Sequence, residues 1–201
     1  NSGLGLDNSG AGVTANDDCD GDSGGNQQQN FPVLTQAYSG GSLGVRGTFN
    51  SKPNQTYRLQ FFANSSCDAT GNGEGQIYLG DKLVTTGAAC ATNFVVSLPV
   101  TVTAGQIVTA TATDAANNTS EFSACFTVTT PPPLKITASG TTTVTLAWTN
   151  TAPGFLLRET ASLTPPINWT VVTNPPLDSA GQFVVSLSTQ ATSRFYRLSF
   201  E

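Results

Sequence analysis

The stretch Gln106-Ile-Val-Thr-Ala-Thr-Ala-Thr113 alternates strictly, with Ile107, Thr109, Thr111 and Thr113 on one face and Val108, Ala110 and Ala112 on the other. A period of two is that of a β-strand, and it leaves no apolar stripe on a helix. Short runs rich in β-branched and aromatic residues recur at 31–38, 43–49, 57–63, 76–79, 82–86, 94–99, 106–113 and 120–129. Turn residues separate them: Gly40-Gly41, Lys52-Pro53-Asn54, 71–75, Gly80-Asp81, Ala104-Gly105 and Ala116-Asn117-Asn118. No window holds a helical period. Turns at this density between short strands predict an antiparallel β-sandwich of immunoglobulin-like type.

Pro131-Pro132-Pro133 interrupts the pattern, and three prolines favour a stiff extended spacer. Strand-like runs resume at 134–138, 142–148, 154–159, 169–172, 182–187 and 193–200, which predicts a second, smaller sandwich without cysteine but with both tryptophans. In Thr143-Val-Thr-Leu-Ala-Trp148, Val144, Leu146 and Trp148 share a face, so Trp148 reads as a core anchor rather than a sugar-stacking surface. The expected fold class is all-β: an extended acidic segment over 1–30, one sandwich over 31–130, a linker at 131–133 and a second sandwich over 134–201.

Charge is unevenly placed. The 201 residues carry 8 bases and 13 acids, a net of −5, and no histidine. Asp7, Asp17, Asp18, Asp20 and Asp22 precede the first base, Arg46, leaving eight acids against eight bases beyond them. Without a basic face, nucleic acid is not an expected partner. The lack of histidine rules out Ser-His-Asp, Cys-His and HExxH chemistry within this chain. No apolar run approaches the roughly 18 residues of a membrane span. The chain starts with neither a methionine nor a signal peptide, which reads as a processed product or a fragment.

In the acidic segment, Asp18-x-Asp20-x-Asp22 sets carboxylates at alternate positions of a glycine-containing loop, where they can converge on one hard cation. Asp17 belongs with them, and Asn16 and Asn26 could add oxygens. Calcium suits an all-oxygen, flexible site better than magnesium; a solvated acidic turn is the plainer reading. Asp68, Glu74, Asp114 and Glu121 lie near turns, where turn chemistry and ion pairs account for them better than a carboxylate pair does. No catalytic residue is assigned, and the expectation is a chain that is not an enzyme. Cys19, Cys67, Cys90 and Cys125 contain no Cys-x-x-Cys, and an even count in such a chain predicts two disulfides in an oxidising compartment. Spacing leaves all three pairings open.

Several motifs carry a resemblance. Ser2-Gly-Leu-Gly-Leu-Asp-Asn8, Val13-Thr-Ala-Asn-Asp17 and Gln29-Asn-Phe-Pro-Val-Leu34 resemble the end of a right-handed parallel β-helix of large secreted bacterial surface proteins. Asn54-Gln-Thr-Tyr-Arg-Leu-Gln-Phe-Phe-Ala-Asn64, Cys67-Asp68, Gly73-Glu-Gly75, Leu79-Gly80, Thr109-Ala-Thr-Ala-Thr-Asp114 and 118–125 are similar to the immunoglobulin-like module that follows it. Val144-Thr-Leu-Ala-Trp148, Gly154-Phe-Leu-Leu157, Leu163-Thr-Pro-Pro166, Asn168-Trp169 and Arg194-Phe-Tyr-Arg-Leu198 resemble a fibronectin type III-like C-terminal module. The resemblance implies an extracellular or cell-surface location. It also implies that Cys67 pairs with Cys125, because that family keeps cysteines there, and that Cys19 pairs with Cys90 as a second, acquired pair.

The function expected is a structural module for surface attachment, or a subunit of an extracellular filament. In the filament, residues 1–36 or an edge strand would add to a neighbouring copy head-to-tail. The alternatives are a carbohydrate-binding or adhesin module, with Trp169 a candidate contact, and an accessory region of a larger secreted enzyme.

Overall fold

A computed structural model describes residues 3–10, 12–189 and 192–201; Asn1, Ser2 and Ala11 of the expected acidic segment lie outside them. Fourteen strands and two short 3-10 turns make up the regular structure, with no α-helix among the described residues. No helix there is long and apolar enough to cross a membrane. The chain divides into two compact units, Asn1–Thr130 and Pro131–Glu201.

Unit 1 contains β1 (Val33–Tyr38), β2 (Leu43–Asn50), β3 (Thr56–Asn64), β4 (Ile77–Thr85), β5 (Ala91–Leu98), β6 (Ile107–Thr113) and β7 (Phe126–Thr127). They form two antiparallel sheets, β1-β2-β5 and β4-β3-β6-β7. In immunoglobulin lettering these are A-B-E and C′-C-F-G. Alternation supplies the core. Tyr57, Leu59 and Phe61 of β3 lie beside Val108, Ala110 and Ala112 of β6 on one inward face, and Phe49, Phe94 and Val96 line the inward face of the other sheet. Phe49 and Tyr57 meet edge to face at 5.0 Å, and Phe61 and Phe94 lie 5.9 Å apart, arrangements that favour aromatic pairs beyond the area they bury.

Two sequence expectations need adjustment. Gly80-Asp81 is not a break. One strand, β4, runs through it with a bulge opposite Phe61 and Phe62, and Gly80 supplies the required φ of +143°. Residues 120–125 are not regular strand. They do run beside β6, but the Ser123 and Ser120 hydroxyls accept the N–H groups of Ala110 and Ala112 where carbonyls would complete a ladder. Thr109, Thr111 and Thr113 are buried as well, so β6 is buried on both faces.

Unit 2 contains β8 (Lys135–Ser139), β9 (Thr143–Thr149), β10 (Phe155–Thr160), β11 (Thr170–Val171), β12 (Leu177–Ser179), β13 (Gln182–Ser188) and β14 (Phe195–Phe200). Its antiparallel sheets are β12-β13-β9-β8 and β11-β10-β14. The short β12 has no alternating sequence signal. Leu146, Trp148, Leu157 and Val185 are the fully buried apolar core, ringed by partly buried residues that include Phe183, Tyr196 and Leu198.

Candidate metal centre

The acidic segment is not a loose leader. Cys19 is bonded to Cys90 and Cys67 to Cys125, with Cα separations of 5.1 and 5.9 Å. Residues 8–30 are also fastened to unit 1 by polar groups. Glu121, nearly fully buried, accepts the backbone N–H of Asn8 at 2.8 Å and of Thr14 at 2.7 Å. Asn8 Nδ2 donates to the Thr119 carbonyl, and Asn26 Oδ1 accepts from the Thr119 N–H. Gly25 lies against the Asn8 carbonyl oxygen, where an added Cβ would sit 2.5 Å away, so only glycine fits that turn. A carboxylate accepting two buried N–H groups is worth about 2 kcal/mol or more to the segment it holds. Glu121→Gln presents an N–H to one of those donors. Amide exchange at Asn8 and Thr14 is expected to quicken about 30-fold, with β3 and β6 unchanged. Unaltered exchange at both amides would show that Glu121 does not hold the segment.

Asp17, Asp20 and Asp22 converge: one carboxylate oxygen of each lies within 4.8 Å of the others. Asp20 is buried, and its two oxygens accept from the Asn30 N–H at 3.1 Å and the Ser51 hydroxyl at 2.6 Å. Ser51 in turn receives Gln29 Nε2 and lies 2.9 Å from the Tyr57 hydroxyl, which ties the cluster to the core strand β3. Asp17 Oδ2 accepts the Gly21 N–H, while Asp17 Oδ1 and Asp22 Oδ1 are buried atoms with no hydrogen-bond donor among the described residues. Burial pushes the Asp20 carboxyl above its ordinary range. Asp22 is raised as well, by burial first and then by the charges of Asp17 and Asp20. Lys52 is the positive charge felt at both.

Asp18, expected in the cluster, is not part of it. The alternation Asp18-x-Asp20 assumes an extended backbone, but Asp18–Asp20 is a 3-10 turn in which Cys19 and Asp20 have φ of 60° and 55°. Asp18 instead accepts a hydrogen bond from the Asn50 side chain on the exposed side. The two expected amide ligands are also engaged elsewhere: Asn16 pairs with both backbone groups of Phe31, and Asn26 joins Asn8 to Thr119. Sequence reasoning missed Asn30 and Ser51, and it gave Glu121 only a turn or ion-pair role. Asn30 belongs to a motif singled out above, and its side chain bridges Asp17 to the Asn50 carbonyl.

Elsewhere, Asp68 and Asp114 close turns, accepting from Thr70 and from Ala116 and Asn118 respectively. Trp148 is 2% exposed, and the Trp169 ring lies under the Arg197 guanidinium at 4.4 Å. Unit 2 has an open polar cleft of about 480 Å³ whose lining includes Glu159, Asn174, Ser186, Arg194 and Tyr196.

No family model matches the chain, and no curated protein matches it. Among solved structures it is similar to red sea bream transglutaminase, at 15% identity and a TM-score of 0.29, over 86% of this chain and 29% of that one. The chain thus spans under a third of that protein's length. A likeness this low carries no argument about activity in either direction. The expectation that this chain is not an enzyme finds no support in these comparisons and is not carried further.

Proposed function

We propose that the chain is an extracellular structural module of the bacterial surface-protein type described above. In this reading it serves surface attachment, or is a subunit of a filament built by strand addition. The observation that carries the reading is the pair of disulfides in a tandem β-sandwich whose acidic segment is cross-linked onto the first unit. Such bonds persist in oxidising, extracytoplasmic compartments.

Within this reading the Asp17, Asp20 and Asp22 carboxylates hold a hard divalent cation, calcium, that fixes the acidic segment. The two buried carboxylate oxygens without donors support it, since a cation would satisfy both and remove the repulsion among three like charges. Millimolar calcium is expected to raise the unfolding temperature of unit 1 by about 5 °C or more over the chelated protein. Asp22→Asn is expected to abolish that rise, and Asp18→Asn to leave it intact. A melting curve indifferent to calcium would reject the cation site. A second reading, a saccharide-binding module, is favoured by the polar cleft of unit 2, with Glu159, Asn174 and Arg194 rather than Trp169 as contacts. Glycan binding lost in Arg194→Ala would support it.

A further inference from the structure

The cleft of unit 2 opens between its two sheets. Glu159 and Tyr196 pair across β10 and β14, two positions beyond the core pair Leu157 and Leu198, so their side chains share the inward face. Leu187 is inward on β13 of the other sheet, two positions beyond the core residue Val185. With Val172, Leu187 and Tyr196 form an apolar floor that continues the core of unit 2. The rim is polar and unengaged. Glu159, Asn174, Ser186 and Arg194 line it, and none of their side chains makes a hydrogen bond or ion pair among the described residues. The two charges do not pair with each other, yet both reach the Tyr196 hydroxyl. Burial first and then the Glu159 charge push that phenol above its ordinary range, and Arg194 opposes the rise. The other arginines of unit 2 are engaged: Arg158 with Ser199, the Trp169 carbonyl and Glu201, and Arg197 with the Trp169 ring. A carboxylate and a guanidinium that stand apart in one cleft add nothing to stability through each other.

We propose that this cleft binds an acidic oligosaccharide, with a sugar carboxylate on Arg194, a sugar ring over Tyr196 and Leu187, and ring hydroxyls on Glu159, Asn174 and Ser186. The inference rests on the saccharide-binding reading above and names its ligand class. Three features favour this ligand. The planar fork of a guanidinium matches the two oxygens of a carboxylate, and Arg194 has no other partner among the described residues. An ionised Glu159 only accepts, so its partner must donate, as sugar hydroxyls do. A pyranose has an apolar C–H face edged by hydroxyls, which is the same division as an apolar floor beneath a polar rim. The remaining rim groups are uncharged amides and hydroxyls, which suit a ligand with one anionic group and many neutral ones. The cleft measures about 480 Å³, and Arg194 also lines a second one of about 320 Å³ together with Ser162 and Asn168. Arg194 thus stands where two clefts meet. A chain of linked sugars can set its acidic residue there and extend the next residue beyond it.

The test titrates the full chain with trigalacturonate, its uncharged methyl ester and maltotriose, followed by calorimetry and by amide chemical shifts. A chelator is present, so that no calcium bridges an acidic ligand to Asp17, Asp20 and Asp22. Trigalacturonate is expected to bind about tenfold more tightly than its ester, because the ester loses a charge-assisted pair. It is also expected to shift the amides of 171–174 and 186–188. Arg194→Gln is expected to weaken the acid about tenfold, to the level of the ester, and to leave the ester unaffected. Arg194→Lys keeps the charge without the fork and is expected to recover only part of the loss. Equal affinity of the wild type for all three ligands would overturn the carboxylate contact while leaving the saccharide reading in place. No shift in these amides with any of the three at about 10 mM would overturn both. Shifts confined to other residues would overturn the cleft as the site. Diglycine that shifts these amides where trigalacturonate does not would overturn the saccharide in favour of a zwitterionic peptide.

Discussion

Trp148→Ala is expected to unfold unit 2 at room temperature while unit 1 stays folded. Truncating a buried Trp removes about 3–5 kcal/mol. A domain of this size without a disulfide holds only about 3–5 kcal/mol in total. The fully buried apolar core of unit 2 is Leu146, Trp148, Leu157 and Val185, and Trp148 also meets the Phe183 ring at 5.8 Å. Nothing so small can collapse around a cavity the size of an indole. The two units have separate cores, so calorimetry should show the unit 2 transition vanish and the unit 1 transition remain. Trp148→Phe is the control. The indole N–H is buried without an acceptor among the described residues, so Phe keeps most of the packing and removes an unsatisfied donor. Its expected cost is below about 1.5 kcal/mol. Two clear transitions in Trp148→Ala would show that the core of unit 2 lies elsewhere.

What was legible in the sequence followed physical locality. The all-β class and most strand positions could be read because alternation is a local signal, as in Thr143–Thr149 and Ile107–Thr113. The break expected at Gly80-Asp81 failed because a bulge and a turn use the same residues, and only the partner strand β3 distinguishes them. Leu177–Ser179 was missed because an exposed three-residue strand buries nothing that would leave a pattern. The acidic cluster was legible as composition but not as geometry. Of the expected Asp17, Asp18, Asp20 and Asp22, Asp18 alone falls outside the cluster, because the left-handed residues Cys19 and Asp20 turn the chain after it. Glu121 stands more than a hundred residues from the segment it holds. A carboxylate that serves backbone N–H groups leaves no complementary residue type to search for. The disulfide pairing was open on spacing and narrowed only by family resemblance, because cross-links are long-range facts.

Replacing Cys19 and Cys90 by Ser is expected to cost unit 1 about 4 kcal/mol, seen as a fall of roughly 15 °C in its unfolding temperature. The bond closes a separation of 71 residues, and chain entropy sets the size of the effect. The Cys67–Cys125 bond closes 58, so entropy alone predicts nearly the same loss for its removal, within about 0.2 kcal/mol. The comparison between the two variants is therefore more informative than either value. Cys67–Cys125 joins two loops at one end of the sandwich. Cys19 lies inside the 3-10 turn that carries Asp18 and Asp20, and its N–H already donates to Asn50. Cutting Cys19–Cys90 releases that turn from the start of β5, so the stabilisation by calcium should weaken together with the stability of unit 1. Cutting Cys67–Cys125 should lower stability and leave the calcium increment unchanged. Equal calcium increments in both variants would mean that hydrogen bonds from Asn30 and Ser51 hold the carboxylates in place without the cross-link. The disulfide would then act on the unfolded chain alone.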